Sequence, residues 1–485
     1  MRRLQLSREV SWHARGAAAF SFHRQLGDVC EMSPDVVALG LAFDGGADPE
    51  AVAAAPPAGL EPTPAARFVA ILVERGILVE VGDPDPLGLS RRRPYVPRLA
   101  VFELDGDDVI AYGRDTVVRL PKLARALQAA DGDKPLGQLL PKARWPQLLR
   151  LAAPDLAALK LLPPGSGRPP WAESTMPWPA VDPRRIVDGS AGGAPNDLAA
   201  YHQAIVDPTA QFEEIETTLS HLFRAPHPAL GGATFGARLA EALVAHGAPP
   251  RGARVVEVGG GLGYLGAALR AALAPRSYLV VDRSPALAAA QRRRGLASVV
   301  GDARALPIAD RSVDLLVSNE MAGDLGTADG VNLGALALVD ECARILAPGG
   351  VAYVSEFGHP TAPPRRSDHL DHDESSIRFA DLAERAASRG LVASIEAVPA
   401  LVRLDGSRPA LVTTRASFAA LRSLIRSHGG ELEKRAWLAD EITALLQRLG
   451  LDPRRLHGLV FAPLGERTMG LCPGEFFALV ARRLD

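Results

Sequence analysis

At 485 residues and 47% hydrophobic content, the chain is long enough for two or three domains with real cores. A formal net charge of −2 excludes a general attraction to polyanions, so no nucleic-acid partner is expected. No stretch approaches the roughly 20 apolar residues of a membrane span, and the N-terminus lacks the apolar run of a signal peptide. The three cysteines, Cys30, Cys342 and Cys472, have neither metal-ligand nor disulfide spacing, so no metal is expected and a cytoplasmic location fits.

The first elements have a regular order. Ala18–His23 reads as a short strand. Ser33 suits a helix N-cap with Pro34 at the first helical position, leading into Val36–Phe43. Asp44-Gly45-Gly46 is a turn, and Asp48 can cap a helix over Pro49–Ala55. Ala65–Arg75 is a third helix stopped by Gly76, and Ile77–Val81 is a strand. This is a winged-helix outline. Through Pro34-Asp-Val-Val-Ala-Leu, Phe43-Asp-Gly-Gly-Ala-Asp-Pro-Glu and Phe68-Val-Ala-Ile-Leu-Val-Glu-Arg-Gly-Ile-Leu it resembles the PqqD-like recognition elements of ribosomally made peptide pathways. That resemblance covers about 65 residues and implies a leader peptide added as a strand. A winged-helix accessory or dimerisation module, and with it a homodimer, fits the same outline.

Leu99–Glu103, a turn at Asp105–Asp108 and Val109–Tyr112 suggest a hairpin, after a division near Pro84–Pro97. Helices are expected around 121–130 and 145–152, with another helix end over Leu156–Leu162. Pro and Gly then mark a linker. From Asn196, a possible cap, to Phe223 the chain looks helical with a break at Pro208, and Tyr201 and His202 sit near its start. The expected organisation is a winged module over 1–83, a second small α+β module over 98–162, a linker over 163–190 and a larger domain over 191–485.

The most informative stretch follows. Val255–Val258 reads as a buried parallel strand carrying Glu257, and it runs into Gly259, Gly260, Gly261 and Gly263 before a helix over Leu265–Ala274. A second strand, Tyr278–Val281, ends in Asp282, about twenty residues beyond the loop, where a doubly wound sheet sets a carboxylate against a ribose. Ser298–Gly301 leads to Asp302-Ala303, and Val313–Val317 to Ser318-Asn319-Glu320. A helix over Leu333–Leu346 precedes Ala347-Pro348-Gly349-Gly350 and a fifth strand, Val351–Ser355.

This ordered set, over roughly 230–400, resembles the class I S-adenosylmethionine (SAM)-dependent methyltransferases. The resemblance implies an α/β, Rossmann-like domain beside an N-terminal α+β winged-helix region, and SAM as cofactor. The backbone of Gly259, Gly261 and Gly263 would bend around the amino acid part of SAM and Glu257 would meet its amino group. Asp282, with Arg283 beside it, would take the ribose, and Asp302 with the Ala303 backbone would read the adenine, Asn319 completing the set. Phe235-Gly-Ala-Arg-Leu, Ser318-Asn319-Glu320, Met469-Gly470 and Glu475-Phe476-Phe477 are similar to the MidA-like protein-arginine methyltransferases. The chain departs from them at Met321-Ala322-Gly323-Asp324, at Ser355-Glu356-Phe357-Gly358 and in the longer Leu471–Glu475 spacing.

Glu320, at the edge of the sheet where ligands bind, suits a guanidinium or an imidazole. Glu356 and His359 are further catalytic candidates. His369 and His372, in an acid-rich loop, are expected to face substrate, as are Tyr201 and His202. The expected activity is methylation of a histidine or arginine nitrogen in a peptide or protein captured by the N-terminal module. A small-molecule methyltransferase with a dimerisation or lid domain, or a non-catalytic SAM-binding assembly factor, is the alternative.

Overall fold

The computed structural model of the protein describes all residues except 1–2, 16–17, 58, 154, 157, 168–179, 191–197, 367–373 and 485. The chain divides into two units. One comprises residues 1–196, 413–432 and 443–460; the other comprises 197–412, 433–442 and 461–485.

In the first unit, strands Val10–Arg15, Ala18–His23 and Asp28–Met32 form an antiparallel sheet in that order. Helices Pro34–Leu41, Pro49–Ala54 and Pro62–Glu74 follow, each with proline in its first turn, where the missing N–H costs nothing. The Asp48 side chain accepts from the Glu50 N–H, as an N-cap should. Trp12, Val37, Leu39, Phe43, Leu72 and Leu78 close the core. The two strands flanking Ala18–His23 were not expected from the sequence.

Three expectations need correction. Residues 156–162 do not end a helix: Lys160–Leu162 is a strand paired with Arg93–Tyr95, so the pairing runs across the division expected near 84–97. The end of the expected linker is structured. Helix Pro183–Val187, capped by Asp182, buries Ile186 in the core of the first unit. Nor does one domain run unbroken from 191 to 485, since 413–432 and 443–460 belong to the first unit. Helix Arg415–Ser427 buries Phe418, Leu421, Leu424 and Ile425 and packs on strand Asp108–Tyr112. Strand Leu456–His457 pairs with Phe102–Asp105.

The second unit is built on one sheet. Seven of its eight strands are β1 (Arg254–Val258), β2 (Ser277–Asp282), β3 (Ala297–Val300), β4 (Val313–Asn319), β5 (Leu346–His359), β6 (Leu391–Ala397) and β7 (Phe476–Arg483); the eighth, Ile377–Arg378, pairs with the end of β5. The seven lie in the order β3-β2-β1-β4-β5-β7-β6. The β1–β5 neighbours run parallel, and β7 is antiparallel to both β5 and β6. β1 and β4 are central and apolar on both faces, as parallel strands covered by helices must be. The strand order reverses between β1 and β4, which opens a crevice at their C-terminal ends.

The helices that matter here are α1 (Pro208–Glu214), α2 (Leu219–Leu222), α3 (Phe235–Ala245), α4 (Tyr264–Leu273), α5 (Pro285–Arg293), α6 (Leu333–Ile345) and α7 (Phe379–Ser388). The break expected at Pro208 is present: helix Leu198–Gln203 ends before it and Pro208 opens α1. Asp207 caps α1 by accepting from Thr209 N and Ala210 N. Gly334 lets α6 approach the turn at Ala322–Leu325: a Cβ there would stand 1.7 Å from the Leu325 carbonyl oxygen. Gly334→Ala is therefore expected to destabilise the protein by more than about 3 kcal/mol, read as a drop in the urea midpoint.

Candidate functional site

The chain leaves β1 through glycines with positive φ, 73° at Gly259, 49° at Gly261 and 81° at Gly263, a backbone path L side chains rarely adopt. Packing also demands glycine nearby. A Cβ on Gly260 would lie 2.6 Å from Val280 Cγ1, and one on Gly266 would lie 2.4 Å from Glu257 Oε2. Phe212 of α1 covers the loop and packs with Leu262, Leu287 and Ala290.

Glu257 lies behind this loop, 1% exposed, and accepts from the Tyr278 hydroxyl at 3.1 Å. Burial pushes its carboxyl up to about 8, against the pull of that hydrogen bond. An unfolded glutamate titrates near 4.3, so between these values the native state holds a proton that the unfolded chain has lost. The resulting stabilisation is complete below about pH 4.3 and disappears as pH rises through 8. Glu257→Gln should flatten the fall in thermal midpoint between pH 5 and 8.5, an effect on the order of a few kcal/mol.

Asp282, at the end of β2, is buried. Its Oδ1 accepts from Ser284 N at 2.9 Å and its Oδ2 from Gln291 Nε2 at 2.8 Å. Burial raises its pKa, opposed by these donors and by nearby His202. The Gly260 N–H is a further donor, and the carboxylate, with about four lone-pair positions, keeps acceptor capacity for a ligand hydroxyl. Gln291 also donates to the Gly261 carbonyl, which ties the acid to the loop.

Asp302, just beyond β3, is held by two arginines. Oδ1 accepts from Arg304 N at 2.9 Å and Nε at 3.0 Å; Oδ2 accepts from Arg304 Nη2 at 2.7 Å and Arg283 Nη1 at 2.6 Å. Arg304 hydrogen bonding chiefly holds its pKa well below the usual range. Ala303 is buried in the core under the sheet.

At the end of β4, Glu320 adopts φ 55°, uncommon for a residue with a side chain and a mark of sites where surrounding structure over-determines the backbone. Its carboxylate accepts from Leu219 N at 2.8 Å (Oε2) and 3.0 Å (Oε1), and from Asn319 Nδ2 at 2.8 Å. Burial still pushes it up to about 7. The Asn319 amide is engaged within the protein, with Glu320 and Ser220 on its nitrogen and the Ser355 hydroxyl on its oxygen. Glu356, buried in β5, accepts from Gly323 N at 3.0 Å and Phe357 N at 2.9 Å; burial raises its pKa.

Glu320 and Glu356 face one cavity of about 700 Å³, open mouth included, together with Glu216, Asp324, Glu374 and Glu475. Phe357, Leu471 and Phe476 supply apolar wall, and no lysine or arginine lines it among the described residues. At the edge, His202 Nε2 lies 3.2 Å from Asp324 Oδ2, and Arg365 pairs with Glu475. The Tyr201 hydroxyl donates to Glu216 at 3.3 Å. Met321, the residue after Glu320, packs on the glycine loop: a Cβ on Gly259 would meet its Cγ at 2.5 Å.

The structure thus brings Glu320, Glu356, Tyr201 and His202 to one place. It does not bring His359 there. That ring is exposed, and its Nδ1 accepts from Thr361 N at 3.0 Å and Ala362 N at 2.8 Å, shaping a turn beyond β5. His369 and His372 lie outside the described residues. Sequence reasoning missed Glu216, Asp324 and Gln291. The one available signal was Met321-Ala322-Gly323-Asp324, where the chain departs from the MidA-like pattern and where Asp324 arises.

A family model described as a methyltransferase domain matches residues 256–354. A malonyl-[acyl-carrier protein] O-methyltransferase of Methylococcus capsulatus is 34% identical over 139 residues, 27% of this chain and 48% of that protein; the chain spans about half the length of this curated relative. Among solved structures, a putative sarcosine dimethylglycine methyltransferase from Galdieria sulphuraria aligns with TM-score 0.32 and 16% identity, over 59% of this chain and 97% of that one. A complex of the Haloferax volcanii Trm112 methyltransferase activator with a putative methyltransferase aligns with TM-score 0.30 and 22% identity, over 42% and 81%. The matched region, with the sheet order described above, is a Rossmann-like SAM-dependent methyltransferase domain of class I. The glycine loop and Asp282 fit SAM, the first by its open backbone and the second by its spare acceptor positions. No helix among the described residues is long and apolar enough to cross a membrane.

Proposed function

We propose that this protein methylates a basic side-chain nitrogen, histidine or arginine, of a peptide or protein. The observation that carries this reading is the six-carboxylate cavity beside the glycine loop. Bound SAM supplies an electrophilic methyl group on a sulfonium sulfur. The residues of the chain hold the acceptor nitrogen in line and take its proton. Glu320, with a pKa pushed up to about 7, is suited to accept that proton near neutral pH. Phe357 and Phe476 offer flat apolar surface to an imidazole or guanidinium.

Substrate capture falls to the first unit. Among the described residues, strand Asp28–Met32 pairs on one side only, with Ala18–His23, which supports strand addition by an extended leader peptide. O-methylation of a carboxylate, the activity named for the Methylococcus capsulatus relative, is the contrasting reading. It would set an anion in a cavity that no lysine or arginine lines among the described residues.

The test uses the full chain, because helix Arg415–Ser427 belongs to the first unit and would lose its packing in an N-terminal truncation. Protein and SAM are incubated with histidine peptides, arginine peptides and a malonyl thioester, and products are weighed by mass spectrometry. A peptide heavier by one CH₂, located by fragmentation on a ring or guanidinium nitrogen, is the expected result. Methylation of the thioester alone would overturn the reading.

A further inference from the structure

Lys434, on the 433–442 stretch of the second unit, is only 4% exposed. Lysine is almost never buried so deeply unless its ammonium is well bonded. Its Nζ donates to the Phe212 carbonyl at 2.8 Å and to the Glu216 carbonyl at 2.7 Å. Both oxygens lie at the C-terminal end of α1, where a helix leaves carbonyls without internal partners and where a cation is favoured. The main chain around Lys434 is tied as well. Its carbonyl accepts from Arg224 Nη1, which also donates to the His221 carbonyl, and Ala436 N donates to the Leu222 carbonyl at 3.2 Å. The segment so held reaches the site. Phe212 covers the glycine loop, and Glu216, Thr217 and Thr218 line the acceptor cavity. The next residue, Leu219, donates its N–H to both oxygens of Glu320, and Ser220 N reaches Oε1 at 3.4 Å.

We propose that Lys434 is a positioning residue for Glu320: by holding the Phe212 and Glu216 carbonyls it fixes the segment that presents the Leu219 N–H to the Glu320 carboxylate. The proposal rests on the reading of Glu320 as the group that takes the acceptor's proton. The N–H groups of Leu219 and Ser220 favour the ionised carboxylate and draw its pKa down, against the burial that raises it. The ionisable groups that share its surroundings are acids, namely Glu216, Asp324, Glu356, Glu374 and Glu475 in the cavity and Tyr353 on β5. None of these replaces a lost donor. Without the ammonium, two buried carbonyls lose a donor, the chain from Glu216 to Leu219 relaxes, and Glu320 becomes harder to ionise.

The test compares the full-length protein with Lys434→Met and Lys434→Gln. The wild-type rate of peptide methylation should rise with pH through about 7. Lys434→Met should move that limb up by about one pH unit, so that the rate at pH 7 falls about fivefold while the plateau above about pH 9 stays within about twofold. A purely structural loss would lower the rate equally at every pH. Amide exchange over Phe212–Leu222, read by mass spectrometry without any acceptor, should quicken about tenfold while β1 and β4 are unchanged. Lys434→Gln keeps an N–H donor of shorter reach and should lie between wild type and Lys434→Met. It decides the question if Lys434→Met fails to fold by circular dichroism. A limb left at the wild-type pH in the folded variants would overturn the proposal. If wild type methylates no peptide, the reading of the function falls, and unchanged exchange over Phe212–Leu222 would then overturn the positioning role by itself.

Discussion

Glu320→Gln should lower kcat by about 10² to 10³ while SAM affinity, measured by titration, stays within about threefold. The amide can still accept from Leu219 N, so the left-handed turn at Glu320 and the start of α2 remain supported. What it cannot do is take a proton or balance a cationic acceptor. The wild-type rate should rise with pH through about 7 as the Glu320 carboxyl ionises, and the variant should lose that limb. A variant with undiminished turnover would reduce Glu320 to a structural acceptor. Turnover lost together with SAM affinity would point to collapse of the crevice.

Asp282→Ala should act on binding. Removing this carboxylate takes the ribose acceptor away and leaves Gln291 Nε2 and Ser284 N without their buried partner. The expected loss is about 10² in SAM affinity, near 3 kcal/mol, with the glycine loop loosened through Gln291 and Gly261. Titration with S-adenosylhomocysteine measures this without any acceptor substrate. Affinity within about threefold of wild type would mean that the ribose lies elsewhere.

The strands and acids of the methyltransferase domain were legible in the sequence because parallel strands read as unbroken apolar runs and each turn carries its own chemistry. Glu257, Asp282 and Glu320 stand at or near the C-terminal ends of three adjacent parallel strands, so the chain order already placed them on one edge. Asp302 shows where this stops. Its position was legible, but its pairing with Arg283 and Arg304 depends on rotamers that no spacing encodes. Glu216 escaped for a related reason, since it reaches the cavity from the segment between α1 and α2, far from Glu320 in sequence. His359 was misplaced because the strand leading to it runs past the sheet edge, beyond the cavity. Helix Arg415–Ser427 was equally invisible as part of the first unit: amphipathic periodicity shows that a face is buried, not which partner buries it.

That last element has a consequence for biosynthesis. The first unit is interrupted by more than two hundred residues before 413–432 and 443–460 complete it. A ribosome adding about 5 to 20 residues per second needs tens of seconds to make the intervening chain. Throughout that interval the strand Asp108–Tyr112 waits without the helix that packs on it. The nascent chain therefore passes through a stage with an uncovered apolar surface, and the expression yield of this protein should depend on holdase chaperones more steeply than that of a protein whose domains follow one another in sequence.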